Sequence, residues 1–184
     1  MGTSSLVELR KTLGGRNLYL VGMMGSGKTS TGPLLAKQLG YRFIDSDAVI
    51  EQLIGSSISQ IFKEEGEIGF RQIESKVLQS IGECHSLVVS TGGGVVTEKE
   101  NWGILHTGIV IWIDPDREIL LKRLKSDSSK RPLIENNNDA LFDKLRIDRA
   151  PFYSEADVHV IVGDESVENV AQVVLENLAK IVNS

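Results

Sequence analysis

The chain has 184 residues, 41% of them hydrophobic and 24% charged, which suits one globular domain with a buried core rather than a disordered segment or two full domains. Its net charge of −5 and pI near 5.3 argue against a nucleic-acid surface, and leave room for a small anionic substrate held by a few local arginines. No apolar run approaches the roughly 18 to 20 residues that cross a bilayer, no leader pattern opens the chain, and Cys84 is the lone cysteine, which excludes an intrachain disulfide and a cysteine-ligated zinc.

Residues 1–16 read as a loosely ordered lead-in or short helix that ends at the Gly14-Gly15 break. The apolar run at 17–22 predicts a strand. It leads directly into Gly22-Met23-Met24-Gly25-Ser26-Gly27-Lys28-Thr29, a complete G-x-x-x-x-G-K-[ST] loop, followed by helical spacing at Leu34, Leu35 and Leu39. A strand ending in such a turn aims several backbone N–H groups, and the positive end of the next helix, at one place where a polyphosphate sits. Gly25, Ser26, Gly27, Lys28, Thr29 and Ser30 are therefore the candidate nucleotide-binding residues. Lys28 would reach the β and γ phosphates, and the Thr29 hydroxyl would ligate Mg²⁺. Pro33, just after Gly32, removes an N–H from this helix and is a candidate kink in its first turns.

A second strand at 41–45 ends in Asp45-Ser46-Asp47, and carboxylates at the C-terminal end of a strand in an open α/β sheet face the ligand crevice. Two readings stay open. Asp45 would hold magnesium while Asp47 accepts a hydrogen bond from an attacking hydroxyl, or Asp47 would simply cap the helix carrying Val49, Ile50, Leu53 and Ile54. Further strands are predicted at 86–91, 108–113 and 157–162, and Val167, Val170, Val173, Val174, Leu178 and Ile181 mark a long amphipathic C-terminal helix. Continuous apolar strands alternating with helices predict a three-layer α/β fold with a parallel sheet covered on both faces. The third strand closes on Ser90-Thr91-Gly92-Gly93-Gly94 without an acidic residue, and taken alone these glycines read as a tight turn before they read as a site. His85, His106 and His159 are too scattered for a metal-site spacing.

The order of motifs is more specific than any one of them. After the phosphate loop and Asp45-Ser46-Asp47 come Gly69-Phe70-Arg71 with Glu74, then Gly92-Gly93-Gly94, then Lys130-Arg131-Pro132-Leu133, then Arg149-Ala150-Pro151-Phe152-Tyr153. This series resembles the shikimate kinases, small-molecule kinases of the nucleoside-monophosphate-kinase-like P-loop group, over about residues 17–180. The resemblance implies a P-loop kinase fold with a central five-stranded parallel sheet flanked by helices and a mobile lid. It implies one domain over 1–184, with 1–16 as the lead-in and about 123–139 as the lid region. It also implies transfer of the ATP γ-phosphoryl group to the 3-hydroxyl of shikimate, with Mg²⁺, in a cytoplasmic monomer (or one in a plastid stroma) whose partners are ATP and shikimate and not nucleic acid or membrane.

The same resemblance assigns roles. Arg71 and Arg149 would bind the substrate carboxylate, a task suited to the rigid guanidinium fork. Gly92, Gly93 and Gly94 would let the acceptor approach the backbone, and Glu74 would orient Arg71 from the same helix face. Phe70 and Ile58 read equally as pocket walls or as core. Asp47 would contact the reacting hydroxyl, Asp45 would serve magnesium with Thr29, and Lys28 with Arg131 would stabilise charge on the transferring group. Arg123 resembles a residue that packs against adenine, or is a solvated charge on a helix face. A basic residue usual in the family after Gly32 is replaced here by Pro33. Two other readings are separable: a gluconate or nucleoside-monophosphate kinase of the same fold would not need Arg71 and Arg149 together, and a non-enzymatic relative would have lost Lys28, Thr29 or Asp47.

Overall fold

The computed structural model describes residues 3–126 and 139–182. Strands β1 (Leu18–Val21), β2 (Arg42–Asp45), β3 (Leu87–Ser90), β4 (Ile109–Pro115) and β5 (Val158–Val162) form one parallel sheet in the order β2-β3-β1-β4-β5. Each strand lies where an apolar run predicts it. The helices are α1 (Thr3–Leu13), α2 (Lys28–Leu39), α3 (Ser46–Ile54), α4 (Ile58–Gly82), α5 (Lys99–Leu105), α6 (Arg117–Ser126), α7 (Asp139–Tyr153) and α8 (Val167–Val182), with a short 3₁₀ turn at Val95–Thr97.

Parallel strands need crossover helices, and those helices bury both faces of the sheet. Alternate residues of each strand accordingly enter two separate cores. Leu18, Leu20, Val88, Ile109 and Ile111 pack with α1, α2 and α8, while Tyr19, Val21, Val89 and Val110 pack with the helices between β2 and β5. Each fully buried aliphatic side chain of this kind contributes about 1.5–3 kcal/mol through removal from water. Among the described residues no helix is long and apolar enough to cross a membrane.

Of the two readings of the lead-in, the short helix is the one found: Leu9 and Leu13 sit at helical spacing and are buried against α8 and the sheet. One expectation changes. Pro33 lies inside α2, which nevertheless runs unbroken from Lys28 to Leu39. α4 holds a feature not anticipated: Gly66, with φ 68° and ψ −177°, joins two helical pieces in a backbone region open essentially to glycine alone. The piece after this joint carries Phe70, Arg71 and Glu74 inward.

β1 is central, with β3 on one side and β4 on the other, so the chain direction across the sheet reverses there. Ligands of open α/β sheets bind in the crevice at such a switch point, beyond the carboxyl ends of the strands. The ends of β1, β2 and β3 place the phosphate loop, Asp45 and the three glycines around this one crevice.

Candidate active site

The phosphate loop folds as its glycines require. A Cβ at Gly22 would overlap the carbonyl oxygen of Ile113, so only glycine lets the loop leave β1 beside β4. Lys28 is buried and its Nζ donates to Gly22 O at 2.8 Å, Met23 O at 2.9 Å and Ser26 Oγ at 3.3 Å, which brings the ammonium back across the loop that would cradle phosphate. Thr29 Oγ1 donates to Asp45 Oδ2 at 2.7 Å and lies 3.1 Å from Ser90 Oγ. Three oxygen-bearing side chains from α2, β2 and β3 thus meet at the mouth of the loop, a donor set suited to a hard cation that keeps most of its waters.

The capping role falls to a different aspartate than expected. Asp45, not Asp47, is the N-cap of α3: its Oδ1 accepts from Asp47 N at 3.0 Å and Ala48 N at 3.3 Å while its Oδ2 faces Thr29. An N-cap residue keeps extended backbone angles, and the last residue of β2 already has them. Asp47 therefore lies in the first helical turn, with its side chain turned to the crevice.

The three glycines face four functional groups between them. A Cβ at Gly92 would collide with Glu74 Oε1 and come within 3.0 Å of Asp47 Oδ1; one at Gly94 would overlap the Arg71 guanidinium; one at Gly93 would sit 3.5 Å from Arg149 Nη1. The same added Cβ would lie 3.4 Å from Gly22 O and 3.5 Å from Met24 N, so the glycine loop runs beside the phosphate loop there with no room for a side chain between them. Ser46 Oγ accepts from Gly92 N at 3.2 Å and ties the same loop to α3. The structure thus brings together Asp47, Arg71, Gly92, Gly93, Gly94 and Arg149.

Arg71, Glu74 and Arg149 are all buried, and the Arg71 guanidinium donates to Glu74 Oε2 in a tight ion pair, as their shared helix face predicts. Glu67, four residues earlier, stands 3.7 Å away on the exposed side. Burial pushes the Glu74 carboxyl above its ordinary value and nearby Asp47 adds to this, while Arg71 and Arg149 hold it back. Phe70 belongs to the core: it is 3% exposed and stacks on Phe62 at 4.3 Å, with Ile58 packed against the same cluster.

A cleft of about 480 Å³ runs from Asp47 and Thr91 along the phosphate loop to Arg123, Glu165 and Val167. Arg123 lines its far end, with Nη1 3.4 Å from Gly25 O and 3.5 Å from Ser26 O. Arg131 and residues 127–138 of the expected lid lie outside the described residues. Ser90, Ser46 and Tyr153 join the site although sequence reasoning passed over them. Ser90 had a signal, since it is a hydroxyl at the end of the strand beside the phosphate loop, and its Oγ lies 3.1 Å from Thr29 Oγ1.

Comparison with known proteins gives the family. The family model described as shikimate kinase matches residues 24–179. A shikimate kinase of Prochlorococcus marinus (strain MIT 9211) is 62% identical over 171 residues, 93% of this chain and 87% of that protein. Another, of Prochlorococcus marinus (strain MIT 9313), is 57% identical over 95% of this chain and 92% of its own length. Among solved structures, the shikimate kinase from Acinetobacter baumannii in complex with shikimate superposes with a TM-score of 0.85 at 36% identity, covering 91% of this chain and 95% of that one.

Proposed function

This chain belongs to the shikimate kinase family and moves a phosphoryl group from ATP to a hydroxyl of shikimate, and we propose how its own residues divide that work. The observation that carries the division is the glycine run, whose three members face Asp47 with Glu74, Arg149 and Arg71 in turn while Gly93 runs beside the phosphate loop. Donor and acceptor sites adjoin along this run.

In this reading the whole chain works as a single domain. Gly25, Ser26, Gly27, Ser30 and Lys28 bind the ATP phosphates, with Lys28 exchanging a loop contact for phosphate oxygen, and Arg123 borders the base. Thr29 and Asp45 would hold Mg²⁺ directly or through water, with Ser90 behind Thr29, and the ion would supply positive charge beside the transferring phosphates. Arg71 and Arg149 grip the shikimate carboxylate, both already buried and oriented before substrate arrives. That grip fixes the ring so that its 3-hydroxyl lies toward Asp47. Asp47 accepts the hydroxyl hydrogen bond, aligns the oxygen with the γ-phosphorus, and receives the proton as the new O–P bond forms and the bond from the γ-phosphorus to the bridging oxygen breaks, leaving ADP. Because phosphoryl transfer depends mainly on alignment and charge stabilisation, this positioning carries more of the rate than proton removal does. Arg131 adds positive charge from the lid side.

The test is ADP release from Mg-ATP with and without shikimate, with quinate and gluconate as controls. Release should require shikimate and should fall by about a hundredfold or more in Asp47→Asn. Release indifferent to Asp47→Asn would remove that residue from the reaction.

A further inference from the structure

We infer that Tyr153 is a positioning residue that sets the distance between the donor and acceptor halves of the site through its hydroxyl. The inference rests on the acceptor site proposed above. Tyr153 closes α7, one turn after Arg149, and is 1% exposed. Its hydroxyl donates to Gly93 O at 2.5 Å, and Met23 Sδ of the phosphate loop lies 3.8 Å from the same oxygen. The ring stacks on Trp112 of β4, with centroids 5.6 Å apart. One buried phenol therefore touches the glycine loop, the phosphate loop and the helix that supplies Arg149.

The glycine loop needs such a hold because three glycines have no side chains of their own to pack. Four consecutive carbonyls accept from side chains instead: Gly93 from Tyr153, Gly94 from Thr97 Oγ1 at 2.8 Å, Val95 from Asn101 Nδ2 at 2.8 Å, and Val96 from Trp102 Nε1 at 2.9 Å. The last three bonds come from the segment that follows the loop and tie it to itself. Of these four, the Tyr153 bond alone crosses to another part of the site, 60 residues away in sequence, while Gly92 N is held separately by Ser46 Oγ of α3. It acts at Gly93, where a Cβ, if present, would sit 3.4 Å from Gly22 O and 3.5 Å from Met24 N of the phosphate loop. Burial holds the phenol pKa up at about 12, so the hydroxyl stays a donor throughout the working range. Removing it frees the Gly93 carbonyl to shift against the phosphate loop, and a small misplacement of acceptor relative to donor is costly in a reaction that runs on alignment.

The experiment compares Tyr153→Phe, which keeps the ring and removes one oxygen, with Trp102→Phe, which removes the Val96 bond from the same loop away from the phosphate-loop contact. For Tyr153→Phe, kcat/KM for shikimate should fall by about tenfold while the KM for ATP and the ATP Kd stay within about twofold, as expected where the lost hydroxyl had held the Gly93 carbonyl and the neighbouring Arg149 on the acceptor side. Trp102→Phe should lower the melting temperature without separating the two substrates. The inference is overturned if Tyr153→Phe leaves kcat and both KM values unchanged, or if it weakens ATP and shikimate equally with a stability loss like that of Trp102→Phe. Arg149→Ala serves as the separate control. An unchanged shikimate KM there would overturn the acceptor site itself, whereas a raised one beside a silent Tyr153→Phe would overturn only the tyrosine's role.

Discussion

Arg71 lies against Gly94 so closely that a methyl group at position 94 would fall 2.5 Å from its guanidinium carbon. Arg71 has little freedom to retreat, because it is buried, paired with Glu74 and packed over the Phe70 ring at 5.2 Å. Gly94→Ala should therefore displace the guanidinium from its carboxylate-binding pose and raise the KM for shikimate by about tenfold or more, the scale of a lost charge-assisted contact. ATP affinity, measured by calorimetry, should be unchanged because the phosphate loop does not touch this face of Arg71. An unaltered KM for shikimate would mean that Arg71 does not hold the carboxylate.

Asp45 has two tasks that two substitutions separate. Asp45→Ala removes both the cap of α3 and the carboxylate facing Thr29, and should cost about 1 kcal/mol of stability together with a higher Mg²⁺ requirement. Asp45→Asn keeps a capping oxygen and loses the charge, so melting should stay near the parent while the Mg²⁺ concentration for half-maximal rate rises. A Mg²⁺ titration identical to the parent in both variants would take Asp45 out of the metal site.

What the sequence made legible follows from locality. The strands, the phosphate loop and the Arg71–Glu74 pair depend on residues a few positions apart, and periodicity or a short motif reads them directly. The resemblance to a family then placed Asp47, Arg149 and the glycines in one site, which no local pattern does. Leu6, Leu9 and Leu13 had helical spacing that would have identified α1 as packed structure, but the polar residues between them obscured it. Asp47 looked like the cap because it precedes an apolar helical run, whereas the helix begins one residue after the strand and Asp45 keeps the extended angles a cap needs. Tyr153 was unreadable as a functional residue, since its partner Gly93 is distant in sequence and a tyrosine in an apolar helix end looks like core.

The raised carboxyl of Glu74 gives a pH-dependent prediction. Its folded-state pKa lies above the ordinary 4.5, so the folded protein holds the proton more tightly than the unfolded chain does. Native stability is then favoured below pH 4.5 at this site, and the penalty for ionisation grows as pH rises through the folded value. Glu74→Gln removes the ionisation and should melt higher than the parent at neutral pH, an advantage that shrinks toward pH 4.5. The same substitution should raise the KM for shikimate, because Arg71 loses the charge that orients it. A melting difference that widens on acidification would show the opposite linkage and refute the burial argument.

Gly32 supplies the last test, since it couples packing to nucleotide binding. It lies in α2 against Phe43 of β2, and an added Cβ would overlap that ring, coming within 2.7 Å of Cδ2. The ring is wedged between helix and sheet, so Gly32→Ala should push α2 outward and cost about 1–3 kcal/mol, as overpacking does elsewhere. α2 begins at Lys28 and Thr29, so the displacement reaches the phosphate loop and should raise the KM for ATP before it affects shikimate. Phe43→Leu combined with Gly32→Ala makes room for the methyl group, and the pair should be less destabilised than the sum of the two single changes. Strict additivity in chemical melts of the four proteins would mean that α2 tolerates the methyl group without moving, and the link from Phe43 to the nucleotide site would fail with it.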